Sequence, residues 1–192
     1  MRQTRLKKYH YLFFLLYFLA PDFLFGCQSP TPLNSERIEQ QFGNYGIDVL
    51  KADAHTRISN LYSQDVTGTT MRTLAIVDFA GATDSRLSVE HDRIVAGESI
   101  GSVFRESGWK IEKATLEVCE KQFDLRIHPQ LQLMNIELPD TLAFRRYVFR
   151  VSNDDDAIDY AIITEIHHPD YLTIADLTTS VGQSPICDYN QP

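Results

Sequence analysis

The chain is poor in the residue patterns that mark most chemistries. It holds three cysteines in 192 residues, with no C-x-x-C pair and no Cys/His spacing that suits zinc. It has no H-E-x-x-H and no G-x-S-x-G, and no G-K-[ST] follows its glycines. These absences remove the signatures of zinc peptidases, of serine hydrolases with a nucleophile elbow and of phosphate loops. Ser102 in Gly101-Ser102-Val103 lacks the elbow context, and Gly68, Gly97 and Gly101 do not build a phosphate cradle. There is no internal repeat, and no low-complexity tract beyond one acidic turn. Positive charge is also scarce: 18 Lys and Arg stand against 26 Asp and Glu. Four of the bases (Arg2, Arg5, Lys7, Lys8) fall in the first 26 residues, together with Asp22. Beyond them 14 bases face 25 acids, a net charge of −11, and Arg145-Arg146 is the only basic pair. A body this acidic repels phosphate backbones, so nucleic acid is not an expected partner.

The N-terminus is the most informative stretch. The basic residues come first, then residues 9–20 read YHYLFFLLYFLA, and Pro21-Asp22 ends the apolar run after twelve residues. A spanning helix needs about 20 apolar residues, and a carboxylate at that depth is costly. A basic segment, a short apolar segment and a small-residue site in this order form a secretory signal pattern. Leu24-Phe25-Gly26-Cys27 follows. This ending resembles the lipobox of bacterial lipoproteins in Leu24, Gly26 and Cys27. It departs from it at Phe25, where a small residue is usual. The resemblance covers 27 residues and implies location, not activity. It implies cleavage before Cys27, lipidation of the Cys27 thiol and acylation of the new amino group. Several acyl chains anchor stably, at about 0.8 kcal/mol per buried CH₂. By similarity to enterobacterial lipoproteins, Gln28 after the cysteine, rather than Asp, implies sorting to the outer membrane, with the periplasmic face expected.

The rest divides into a polar, proline-containing tether at 27–34, one domain at 35–177 and a tail at 178–192. At 43% apolar residues, the chain can bury one sizeable core. With Cys27 assigned to lipid, Cys119 and Cys187 remain, an even number for an oxidising compartment. A disulfide between them would tie a tail with few apolar residues to the domain. Two separate thiols are the competing reading.

Hydrophobic periodicity gives the elements. Ser35 is expected to cap a helix over 36–42, stopped by Gly43. Residues 47–50 and 56–62 read as short strands. Residues 69–79 read as a strand inside the sheet, because 74–77 are apolar on both faces. Thr83, Asp84 and Ser85 offer caps for a helix, or two joined at Gly97, ending at Gly108. Gly97 and Gly101 would let that face approach a sheet or helix closely. Residues 109–118 alternate as a strand, with weaker strands at 123–127 and 131–136. The clearest hairpin joins 144–151 to 158–166 through Asn153-Asp154-Asp155-Asp156. On its first arm Tyr147, Phe149 and Val151 share a face opposite Arg146 and Arg150. On its second arm Ile158, Tyr160, Ile162 and Ile166 are expected to share a face opposite Asp159 and Glu165. The expected fold is a single α+β domain: a mainly antiparallel sheet with two or three helices packed on it.

No candidate site is strong. Asp154, Asp155, Asp156 and Asp159 lack the calcium-loop spacing and read as a solvated hairpin tip. His167 and His168 are strand neighbours, point to opposite faces and do not share a metal readily, so a loop or partner-facing role is the plain reading. His91 and Asp92, one residue apart on a helix, do not face each other. Glu117 and Glu120 cannot be placed by sequence. No catalytic residue, metal or cofactor is assigned. The expected function is that of a lipid-anchored envelope protein, a noncatalytic binding or assembly module beside an envelope protein partner. The alternative is a periplasmic hydrolase acting on envelope material. A deep pocket with a perturbed His or carboxylate would favour the hydrolase, and an apolar patch without a polar cleft the module.

Overall fold

The structure, a computed structural model, describes residues 32–79, 84–136, 141–182 and 184–187. Cys27 and the lipobox lie outside the described residues. Residues 32 onward form one unit, a six-stranded antiparallel sheet with helices, which is the α+β architecture expected. In chain order the elements are α1 (Asn34–Phe42), β1 (Gly46–Ala52), β2 (Thr56–Asp65) and β3 (Gly68–Asp78). A 3₁₀ turn (Ser85–Leu87), α2 (Ser88–Val95), α3 (Ile100–Glu106) and β4 (Lys110–Lys121) follow. A longer 3₁₀ segment (Pro129–Met134), β5 (Leu142–Ser152), β6 (Ala157–His167) and α4 (Ile174–Val181) complete the domain. The sheet order is β1-β2-β3-β6-β5-β4, so β3 is interior, as its doubly apolar centre requires.

The two faces are covered differently. The helices lie over the face that presents Val77, Tyr147, Phe149 and Val151, where Ile94 of α2 and Val103 and Phe104 of α3 complete a core. Ile38 of α1 packs with Leu61, Ala75 and Tyr171, and Leu177 of α4 with Val118 and Ala143. The opposite face is covered at one end, where Leu131 and Met134 of the 3₁₀ segment meet Leu74, Phe144 and Ile166.

Several local expectations are corrected. Ser35 does not cap α1. Leu33 holds that position, and the Glu36 carboxylate three residues on accepts from the Leu33 N–H at 2.6 Å. Leu33 is buried, so the end of the expected tether belongs to the domain. Gly101 admits Leu33 rather than a sheet or helix: a Cβ there would lie 2.6 Å from both Leu33 methyl carbons. Residues 123–127 and 131–136 are not strands. Pro129 opens a 3₁₀ segment instead, and Asp124 organises the turn before it by accepting from the Arg126 and His128 amides, through its side chain and its carbonyl respectively. The tail expected from 178 begins inside α4, which Thr173 and Asp176 cap reciprocally.

The largest correction lies in β6. Phe149 pairs with Ala161 and Arg150 with Asp159, so Tyr160 is an extra residue in that arm. Such a bulge shifts the alternation by one. Ile158 and Tyr160 face the helices as expected, but beyond the bulge Ala161, Ile163, Glu165 and His167 take that face. Ile166 is buried on the other side, and Ile162 is only half-buried. Glu165, expected on the polar face, is buried beneath the helices.

Candidate functional site: a charged seat beneath the first helix

The inverted end of β6 brings ionisable groups together on the helix-covered face. Glu165 pairs across with Arg145 of β5, which lies beside Tyr147, and Lys113 of β4 opposes Phe149 on the same side. His167 pairs with Thr73 of β3 at the margin. Two cavities meet here, and Asn34, Lys113 and Glu165 line both. The first, of about 70 Å³, has a largely apolar wall that includes Leu33, Ile47, Ala75, Val77 and Ile163. The second, of about 10 Å³, is lined by Arg37, Arg145 and His167 as well. Asn34 of α1 is part of the roof.

Polar groups around the second cavity form a directed chain. The Tyr171 hydroxyl donates to Asn34 Oδ1 at 2.6 Å, and Asn34 Nδ2 donates to Thr73 Oγ1 at 3.1 Å. Thr73 Oγ1 lies 3.0 Å from His167 Nδ1. The Thr73 oxygen accepts from Asn34 and shares one hydrogen with His167 Nδ1, and the tautomer of the imidazole decides which of the two donates it. Nε2 is buried without a protein partner, as is Arg145 Nε. The other side of the Arg145 guanidinium is fixed, because Nη2 donates to Thr115 Oγ1 at 2.7 Å. Lys113 holds its ammonium 5.0 Å from the Tyr147 ring centroid and makes no hydrogen bond among the described residues.

Burial governs the protonation of these groups. It lowers His167 to about 4, against weaker opposition from Glu165, so the ring is neutral at pH 7. It lowers Lys113, with Glu165 opposing. Tyr147 is raised well above 10 by burial and by the charge of Glu165. Burial also pushes the Glu165 carboxyl upward, but Lys113, His167, Arg145 and a hydrogen bond from Tyr147 outweigh it, so the group ends below the usual range and stays ionised. Lys113, Arg145 and Glu165 together carry one net positive charge inside an acidic domain.

Arg57 stands at the other edge of the first cavity and has a different role. Its Nη1 donates to the Ile94 and Glu98 carbonyls at 2.8 Å, its Nη2 to Gly97 O at 3.2 Å, and its Nε to Ser59 Oγ at 3.0 Å. A buried cation thus closes the carbonyl end of α2. With four of its five donors committed, Arg57 frames the site.

The residues singled out from sequence mostly lie elsewhere. The acidic turn is an exposed tip in which Asn153 Oδ1 accepts from the amides of Asp155 and Asp156. Lys110 pairs with Asp154 at 3.0 Å and Arg86 with Asp156 at 2.5 Å. His91 Nδ1 lies 2.9 Å from the Tyr160 hydroxyl. Glu117 is buried, 3.8 Å from Arg146. His167 and His168 are both buried, so neither is loop-exposed or partner-facing; His168 Nδ1 accepts from the Asp170 amide at 3.0 Å. Cys119 and Cys187 sit at disulfide distance, with Cα atoms 5.4 Å apart. Among the described residues no three His, Cys, Asp or Glu side chains are grouped to hold a metal, and no helix is long and apolar enough to cross a membrane. A groove of about 410 Å³ lies on the opposite face, between Ile76, Thr164 and Arg146 of the sheet and Phe123, Ile127 and His128.

Lys113, Arg145 and Glu165 were not identified from sequence. Lys113 shares the phase of Trp109 and Ile111, and Arg145 that of Tyr147 and Phe149, so a cation in an apolar phase was the available signal. Glu165 carried no such signal, because the bulge changes its side.

The chain matches no family model, and no curated protein matches it either.

Proposed function

We propose that this chain is a noncatalytic binding module of the bacterial envelope, lipid-anchored through Cys27 at the outer membrane, with its ligand seat beneath α1. The membrane, through the lipid, and an envelope protein are its proposed neighbours. One observation carries the reading of the site: a cavity with an apolar wall reaches a cation, Lys113, that no hydrogen bond among the described residues holds. Costly buried charge at a cavity end is a mark of binding sites.

A perturbed histidine favours the hydrolase, and His167 is one. Its hydroxyl neighbour, Thr73, is fully buried and already accepts from Asn34. The second cavity, at about 10 Å³, has room for one water. With His167 titrating near 4, the ring is a weak general base at neutral pH. Tyr147, raised well above its ordinary value, stays protonated. The chemistry present therefore suits holding a molecule rather than cleaving one.

Native mass spectrometry of the full chain, taken from membranes in mild detergent, tests this reading. A small molecule bound to the wild type, lost in Lys113→Met and recovered chemically unchanged after incubation, is the expected result. Conversion of that molecule on the protein would support the hydrolase instead.

A further inference from the structure

We infer that the seat beneath α1 takes a small aliphatic monocarboxylate, its carboxylate held at Lys113, Arg145 and His167 and its hydrocarbon body in the first cavity. This rests on the binding-module reading and names the ligand class.

Three observations converge on it. The first is a surplus of donors. Arg145 Nε, a donor in every state, and His167 Nε2, a donor when the imidazole hydrogen sits there, are buried without partners among the described residues. Both residues line the second cavity with Lys113. An unsatisfied buried donor is costly, and cations and donors that line one small cavity call for a group that accepts. An ionised carboxylate does so; an amine or an alcohol brings donors of its own.

The second is charge. Lys113, Arg145 and Arg37, which also lines the second cavity, against Glu165 leave two positive charges, since His167 is neutral. An anion is drawn to this surplus, and the second cavity, at about 10 Å³, has no room for a phosphate group. Arg57 spends four of its five N–H donors on the α2 carbonyls and Ser59, and its charge adds to the positive surplus from the other edge of the first cavity.

The third is size. The first cavity offers about 70 Å³. At roughly 10–15 Å³ per water-sized group, that holds about five to seven heavy atoms. Its apolar wall is formed by Leu33, Ile47, Leu61, Ala75, Val77 and Ile163, and Ser35, Tyr45, Ser59 and Ser99 add hydroxyls to the lining. A four- or five-carbon acid fits this space, and a longer chain would run out of its open side. The second cavity, at about 10 Å³, takes one carboxylate oxygen, or one water between the carboxylate and His167.

The experiment uses the full chain in detergent, with Ile, Leu and Val methyl groups labelled for NMR, titrated with sodium butyrate, butylamine, 1-butanol and sodium octanoate. Butyrate is expected to shift the Ile163, Val77 and Leu61 methyl signals saturably, with butylamine and 1-butanol at least ~10-fold weaker, a difference of about 1.4 kcal/mol, and octanoate no tighter than butyrate. Lys113→Met should weaken butyrate by at least ~10-fold while leaving butanol unchanged. Val77→Ile, which narrows the hydrocarbon wall at a position that pairs with Ile163 rather than with a charge, should move the preference from butyrate to propionate. Retained methyl dispersion shows that each variant is folded. Equal response to butyrate and butanol, or butyrate binding indifferent to Lys113→Met in a folded variant, overturns the inference. Tighter binding of butylamine at the same methyl signals overturns the ligand class while leaving the binding-module reading standing. A cavity whose methyl signals no probe moves overturns the seat itself.

Discussion

At the residue scale, position relative to the sheet decides what a side chain contributes. Phe149 is buried between Phe104 and Tyr160, with ring centroids 5.8 and 6.4 Å away. Asp155 lies at the exposed hairpin tip. Phe149→Ala should cost roughly 3–5 kcal/mol, and Asp155→Ala less than about 0.5 kcal/mol, in urea denaturation. Equal losses would mean that the two faces of β5 are wrongly assigned. His167 supplies a pH dependence. Burial holds it at about 4 in the folded chain, against about 6.5 when unfolded. Below 6.5 the unfolded state takes up the proton more readily, so stability falls as pH drops from 6.5 to 4. The loss is complete near 4, on the order of 3 kcal/mol. Above 6.5 the residue contributes no slope. His167→Gln should flatten the stability profile between pH 6.5 and 4; an unchanged slope would place the titration elsewhere.

At the scale of elements, what the sequence made legible follows from local rules. The β3 interior position followed from an apolar run on both faces, the turn at Asn153 from its polar residues, and the α1 stop from Gly43, which adopts φ 79°. The phase of β6 was legible as far as Tyr160. The bulge there depends on how two strands fit across Phe149 and Arg150, and no residue of β6 alone announces it. The hidden charge of Glu165, and with it half the candidate site, went unread for that reason. Residues 123–136 misled for another: their apolar side chains are real, but they cover one end of the sheet instead of joining it. The C-terminal end adds a covalent question. A bridge from Val118 to Ile186, with N–H···O distances of 3.0 and 2.9 Å, lays the tail along β4 next to Cys119 and Cys187. Closing a loop of 68 residues by a disulfide contributes about 4 kcal/mol in the chain-entropy model, an upper figure if the unfolded chain keeps structure. Nonreducing mass spectrometry of protein taken from the periplasm should find the two cysteines joined. Free thiols at both positions would leave the tail held by the β4 bridge and its side-chain packing.

At the scale of the whole molecule, the account joins a membrane address to a binding domain. The address rests on 27 residues, the domain on the sheet and its helix-covered face. The described domain begins near Leu33 and Asn34, where the chain enters α1 and roofs the charged seat. An anchored domain of net charge −11 would be repelled by anionic headgroups, which favours holding it off the membrane surface on its tether. The claim on which location and partners depend is lipidation at Cys27. Cells producing the chain, or its Cys27→Ser variant, should be grown with radiolabelled palmitate, fractionated and compared on gels. The account predicts a labelled, cleaved, membrane-bound wild type and an unlabelled, uncut variant. Label in the variant, or cleavage of the variant as complete as that of the wild type, would contradict it.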